Sequence, residues 1–475
     1  MPEYKLRYGK ADIALPIPPG IEVEVVNPRP LPALDNPKNE ILRSLRNPIG
    51  TRPLYEIVEG KRKICLIVCD STRKCGYQLT LPVMLEEMIR RGGATPKDIT
   101  ILVATGTHRI MTDDELRAQF GEIVLSQFKI VQHDGNDSDH MRRAGKTTRG
   151  TLLFYNPVAA DADLIIIAGS ITYHYFAGFT GGRKMVFPGV AARESIIKNH
   201  SLAIDSQTGD FHERVKPGSL LGNPVHEDMM DAAGELRPDF LMDVVLNENG
   251  DLAGVFAGDF SYAHRYGCQF VEDYFGIVVD GERVKSADLV VASAGGYPRD
   301  ISFYQVHKSL VNATNLLKPE GGTVVLLAEC IEGMGHPGFE MWKPLKTSSE
   351  IKLKLKNNYA VIGHLVLSLR KRTETHRVFL VSALPDEEVF AWGMTPAKSM
   401  SQALGMVFSK LKPPFPRVTL MPHASLTTPI GPQERVGVTA KEMAEYFGTG
   451  VEEIDAPDAE PVDERSELAK KVFGG

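Results

Sequence analysis

Two imidazoles and one amine surround a glycine-rich turn between His174 and His200, where the chain reads HYFAGFTGGRKMVFPGVAARESIIKNH. Gly178, Gly181 and Gly182 permit positive φ and a close backbone approach to a ligand, and the N–H groups of the helix expected to follow favour an anion such as a phosphate. Lys184 is the amine. The turn is no Walker A loop, because Arg183 precedes the lysine and Met185 follows it where a triphosphate loop needs Gly-Lys-Ser/Thr.

Further ionisable groups lie just after apolar runs. Asp70 to Arg73, Gly106 to Arg109, the His174 loop and Gly295 to Asp300 each follow a predicted strand, and in open parallel sheets a ligand lies beyond the carboxyl ends of the strands. One shared site is the expectation. His108 either caps the next helix or serves as general acid and base, its proton being available near neutral pH. Arg73 either pairs with Asp70 or holds a substrate carboxylate in its guanidinium fork, and Asp70 either caps its loop or bonds a ribose hydroxyl. His200 closes a helical run as a dipole partner or as a metal ligand; one histidine is too few for a protein-only metal site. Tyr304, His307 and Lys308 share one helical face, Gln305 lies three residues before Lys308, and the nearby Gly295 and Gly296 suggest that this face turns toward the site.

The elements that must hold these groups alternate strand with helix. Apolar runs at 63–69, 98–106 and 161–170, separated by helical text at 81–93 and 113–121, read as buried parallel strands. A second series at 287–296, 321–330, 376–384 and 417–425 is interleaved with helices near 302–317 and 398–411. The fold class expected is therefore α/β, with two α/β domains of mainly parallel sheet, 1–275 and 276–475, and an active site in the cleft between them. Helical text around 260–275 supplies the hinge. The acidic, Pro- and Ala-rich stretch at 451–467 reads as a solvated extension.

A length of 475 residues with 43% hydrophobic side chains supports more than one packed core. A net charge of −6 and no long basic block argue against nucleic acid as a partner. The first twenty residues lack the apolar core of a signal peptide and no run of about 18 apolar residues occurs, so the expectation is a cytoplasmic protein with no membrane partner. Cys65, Cys69 and Cys75, spaced by four and six, match neither a zinc nor an iron–sulfur pattern and read as buried structural thiols.

Taken together, Asp70-Ser-Thr-Arg73, Gly106-Thr-His108, the His174 to His200 segment with Lys184 inside it, and Gly-Gly-Tyr-Pro-Arg-Asp followed by Tyr304-Gln305 and Lys308 are similar to the nickel-dependent lactate racemase family. The resemblance runs in motif order through roughly the first 330 residues. It implies a nickel-pincer nucleotide, pyridinium-3-thioamide-5-thiocarboxylic acid mononucleotide, held as a thioamide on Lys184, with Asp70, Gly181 and Gly182 around it and His200 completing the coordination of Ni. The cofactor then supplies three donors and the protein one. His108 and His174 become the acid/base pair serving the two enantiomers of a small-molecule 2-hydroxy acid, while Arg73 and Lys308 hold its carboxylate and developing oxyanion and Tyr304 and Gln305 orient them. Such a racemase or epimerase needs cofactor-biosynthesis proteins for its maturation.

The family's tryptophan beside the substrate has no counterpart near His364, since Trp342 and Trp392 fall elsewhere, so the acid need not be lactate. Two other classes use parts of the same set. A cofactor-free carboxylate or anion-binding protein has no need of His108, His174 and Lys184 together. A metal-assisted hydrolase requires clustered His, Asp and Glu ligands that the sequence lacks.

Overall fold

Apolar runs bounded by turn residues form strands buried on both faces. The structure, a computed structural model, describes residues 4–279, 284–357, 359–409 and 417–430. These fall into two units, one within Leu31–His200 and Ser219–Glu272, the other within Met1–Pro30, Ser201–Gly218 and Asp273–Arg435. The stretch 451–467 lies outside the described residues.

The first unit is built on six strands: β1 (Ile64–Cys69), β2 (Ile99–Ala104), β3 (Lys129–Gln132), β4 (Leu164–Ser170), β5 (Phe240–Leu246) and β6 (Leu252–Gly258). They lie in the order β6-β5-β4-β1-β2-β3, parallel throughout except for the antiparallel pair β5–β6. Every residue of β1 and β4 is buried, and each Ile, Leu or Val taken from water contributes about 1.5–3 kcal/mol. Tyr77, at the start of α1 (Tyr77–Arg90), ties these two strands together. Its hydroxyl accepts from the Cys69 N–H and donates to the Ala168 carbonyl, each at 2.6 Å. Strands β2 and β3 are laid on one side of β1, after which the chain returns to place β4 on the other. The carboxyl ends of β1 and β4 thus flank the point where the strand order reverses, the position at which such sheets bind ligands. Three further helices complete the part of this unit that matters below: α2 (Arg193–Ser201), α3 (Pro224–Leu236) and α4 (Tyr262–Phe275).

The second unit holds β7 (Leu289–Ser293), β8 (Thr323–Leu327), β9 (Arg377–Val381), β10 (Thr395–Ala397) and β11 (Val418–Met421) in the order β10-β9-β8-β7-β11, all parallel. Helices α5 (Phe303–Asn315) and α6 (Val361–Thr375) bring Val306, Leu310, Val366 and Leu369 into one apolar cluster with Val290, Val324 and Val378. Leu6, Leu15, Ala403 and Leu404 belong to another cluster, with Val291, Val325 and Phe379. The units are discontinuous in sequence, unlike the expected stretches 1–275 and 276–475. The strand Val23–Val25 pairs in parallel with β11 and completes the second sheet, and within 201–218 the Asp210 carboxylate bridges Lys352 at 2.7 Å and Lys371 at 2.8 Å.

Burial is the largest cause that holds His133, His174, His226, His264, His307, His364 and His376, among the described residues, below the ordinary imidazole value of 6.5. A depressed folded value means that the unfolded chain binds more protons below 6.5, so the stabilisation is complete above that pH and is lost as pH falls toward the folded values, about 3 for His364. The melting temperature is therefore expected to fall on going from pH 7 to pH 5, and thermal unfolding followed by circular dichroism at the two pH values checks it.

Candidate active site

The carboxyl end of β1 delivers Asp70 into a buried position, 4% exposed, where its charge must be met. One carboxylate oxygen takes the Thr72 N–H at 3.1 Å and the Thr72 hydroxyl at 2.5 Å, which shapes the loop; the other lies 2.6 Å from Nδ1 of His108, from the loop after β2. Burial alone would raise the pKa of Asp70. The bond and charge of His108, then Thr72 and Arg73, outweigh it and hold the acid below the usual aspartate value. An ionised acceptor facing Nδ1 fixes the proton there and leaves the lone pair of His108 on Nε2. Asp70, read from the sequence as a loop cap or ribose partner, caps its loop and also orients His108.

The loop after β4 is a short antiparallel pair, in which Tyr173 and His174 face Phe179 and Gly178. It carries Phe176, whose ring is the meeting place of three expected site residues. The imidazole of His174 lies edge-on at 4.5 Å between centroids, that of His200 at 4.8 Å, and Nζ of Lys184 at 5.4 Å. Burial, then the charges of Lys184, Arg73, His200 and Arg183, push the His174 imidazole well below its ordinary value. The Lys184 amine is pushed well below the usual lysine value by burial first and by Arg183 and Arg73 after it. Arg73 is common to both halves of the constellation, acting on Asp70 as well as on His174 and Lys184.

The glycine turn works differently from the sequence expectation. A single helical turn, Arg183–Val186, follows it, and the Gly182 N–H already donates to the Asp243 carboxylate at 2.8 Å. The anion at this turn is the protein's own. Gly181 and Gly182 have φ of +73° and +53°, and a Cβ on them would lie 2.6 Å from Asp243 Oδ2 and 2.5 Å from His264 Cγ. Glycine is thus required for packing against the interior. Behind the turn, Asp243 on β5 meets Nδ1 of His264 on α4 at 2.9 Å, and Nε2 of His264 takes a bond from the Arg183 guanidinium at 2.8 Å. All three residues are at most 2% exposed. Arg183 also donates to the Ala177 carbonyl at 2.6 Å, which joins the turn to the His174 loop. Sequence reasoning missed Asp243, His264 and Phe176, although an acid inside the apolar run 240–246 was a visible signal.

His200 lies near the end of α2 and is 7% exposed. Among the described residues no group of three or more His, Cys, Asp and Glu side chains is placed to hold a metal ion. The thiols of Cys65, Cys69 and Cys75 are buried, with Cys69 Sγ 3.3 Å from Met185 Sδ. Tyr304, Gln305 and Lys308 belong to the second unit, in the first two turns of α5, where Gln305 is exposed and the other two are partly so. His307, beside them, is 1% exposed and packs into the unit. No described helix is long and apolar enough to cross a membrane.

Comparison with known proteins gives the family and the fold. Residues 8–210 match the lactate racemase N-terminal domain and residues 282–424 the lactate racemase C-terminal domain. The lactate racemase of Thermoanaerobacterium thermosaccharolyticum is 32% identical over 421 residues, 85% of this chain and 94% of that one. That of Lactiplantibacillus plantarum is 38% identical over 300 residues, 62% of this chain and 67% of that one. The solved apoprotein of the Thermoanaerobacterium enzyme superposes with a TM-score of 0.80 at 31% identity, covering 90% of this chain and all of the other. A Thermotoga maritima protein with a TM-score of 0.60 at 15% identity, covering 83% of this chain and 98% of the other, shares the fold. The two α/β units and the matches over most of the chain lead to one conclusion: the chain belongs to the lactate racemase family and is an isomerase of the racemase class.

Proposed function

We propose that this racemase inverts C2 of a 2-hydroxy acid, lactate or a relative of it, by reversible hydride transfer to a nickel-pincer nucleotide tethered through Lys184. The observation that carries the reading is the amine of Lys184, depressed by burial and by two guanidinium groups, over the same ring that two imidazoles touch. An unprotonated amine is the form able to enter a thioamide. The donor set also fits. With His200 as a single imidazole and no protein cluster beside it among the described residues, a metal here takes its remaining donors from a non-protein group, as the pincer provides.

When bound, the nucleotide supplies the hydride acceptor that a C–H too weakly acidic for proton removal requires. The protein's own residues do the rest. His108, with Nδ1 committed to Asp70, offers Nε2 to the substrate hydroxyl proton, and His174 serves the opposite enantiomer. Loss of hydrogen with its electron pair leaves a planar 2-oxo acid, which can be reduced on either face. Arg73 holds the carboxylate, and Lys308, with Tyr304 and Gln305, is assigned to the same carboxylate and the developing oxyanion. Gly181 and Gly182 act on the cofactor by shaping the turn that presents Lys184. Maturation in the cytoplasm by cofactor-biosynthesis proteins completes the proposal.

Intact-mass and peptide analysis of protein made in a host with the cofactor pathway tests it. The expected result is an increment on the peptide containing Lys184, together with inversion of single-enantiomer 2-hydroxy acids. Fully active protein with the mass of its sequence overturns it. Replacing His108 or His174 by alanine is expected to lower turnover by about 10²–10⁴-fold, with the melting temperature preserved in His174→Ala and lowered in His108→Ala, where the buried Asp70 loses its partner, measured by chiral chromatography beside a thermal melt.

A further inference from the structure

Asn199, the neighbour of His200 on α2, makes hydrogen bonds that leave its amide no choice of orientation. Its Nδ2 donates to the Val225 carbonyl at 3.1 Å and to Oδ2 of Asp228 at 2.9 Å, both from α3. Each partner is an acceptor, so flipping the amide would set its oxygen against a carbonyl and a carboxylate. Asp228 is held in turn: Oδ1 accepts from the Thr147 hydroxyl at 2.5 Å, and Oδ2 from the Thr151 hydroxyl at 2.9 Å. Asn199 and Asp228 are both fully buried. The Oδ1 of Asn199 therefore faces Nδ1 of His200, at 3.1 Å. A carbonyl oxygen in that place requires a proton on Nδ1.

We infer that Asp228 and Asn199 form a positioning relay that sets the tautomer of His200, with Nδ1 protonated and the lone pair on Nε2, so that Nε2 is the atom given to nickel. The inference rests on the proposed reading of His200 as the protein ligand. A second anchor limits rotation of the ring, since Phe176 meets it edge-on at 65° between planes. Histidines that bind metals through one nitrogen commonly donate the other N–H to an oxygen acceptor, and loss of that acceptor weakens metal binding about 10–100-fold. Here the acceptor is a neutral amide oriented by a buried carboxylate. Polarisation along the relay makes Nε2 a better donor without placing a full charge against the ring. Thr147 and Thr151 supply hydrogen bonds that a buried carboxyl group requires.

Two measurements on the full chain test this. In ¹⁵N-histidine-labelled apoprotein, with the His200 signals assigned by their loss in His200→Ala, two-bond proton–nitrogen correlations are expected to show Nδ1–H and an unprotonated Nε2. A proton on Nε2 in the wild type overturns the relay without reference to any variant. In holoprotein, Asn199→Ala is expected to release nickel to a mild chelator about 10–100-fold more readily than wild type, while the mass increment on Lys184 stays in place. Asp228→Asn, which keeps an acceptor toward Asn199, is expected to fall between the two. Equal nickel retention in wild type and Asn199→Ala, with the adduct present in both, overturns the relay alone. An absent adduct in the wild type overturns the reading beneath it.

Discussion

Lys184→Ala is expected to abolish racemisation and to yield a chain whose intact mass equals its sequence, even from a host with the complete cofactor pathway. Lys184→Arg is expected to do the same, because a guanidinium stays protonated and is no nucleophile at neutral pH. The effect is large because the hydride acceptor resides in the tethered group, so no residual route of comparable rate remains when the tether is lost. Stability should change little. Lys184 is partly exposed and carries an amine that burial and two guanidinium groups already disfavour as a cation, so its removal strands no partner charge. Intact mass, chiral product analysis and a thermal melt on the same preparation decide the matter. Substantial activity in Lys184→Ala, or an increment that persists on another peptide, contradicts the assignment.

The sequence showed the strands best where both faces are buried. The runs at 63–69 and 161–170 contain β1 and β4, whose residues are all buried and, apart from the terminal Ser170, carry no polar oxygen or nitrogen in their side chains, because parallel strands have no solvent face to encode. The reactive residues were legible for a related reason. Side chains such as Asp70, His108 and His174 end apolar runs, and residues at strand ends are set apart from a core by polarity alone. Contacts that depend on sequence-distant partners were not legible. Nothing around Val23–Val25 announces β11 as its partner nearly four hundred residues later, and nothing beside Gly182 announces Asp243. From sequence alone the glycine turn suits an outside anion, because glycine with positive φ serves a ligand and a close internal neighbour equally well. Only the placement of β5 and α4 behind the turn shows that Asp243 and His264 are that neighbour.

Asp243→Asn is expected to destabilise the fold by about 3–5 kcal/mol, since it leaves the Arg183 cation in the interior without its counter-charge. The Asp243 carboxyl group bonds Nδ1 of His264, a bridge whose own pKa is pushed down by burial, and Nε2 of His264 bonds Arg183, whose pKa burial lowers to about 10. Arg183→Met alone leaves the carboxylate without its cation and removes the donor to the Ala177 carbonyl, so it too is expected to be strongly destabilising. The double replacement removes both charges and is expected to cost less than the sum of the singles, because each single change strands what the other supplied. Denaturant unfolding of the four proteins gives that coupling energy directly. A buried pair of this kind is weak support for net stability by itself. Its consequence here is geometric: the carboxylate that balances Arg183 also accepts the Gly182 N–H, so one group sets the backbone turn and the charge beside Lys184. Adduct formation on Lys184 should therefore fall in Asp243→Asn even at a temperature where that variant is fully folded. Wild-type stability and full loading in Asp243→Asn would show that the chain from β5 to the turn is incidental.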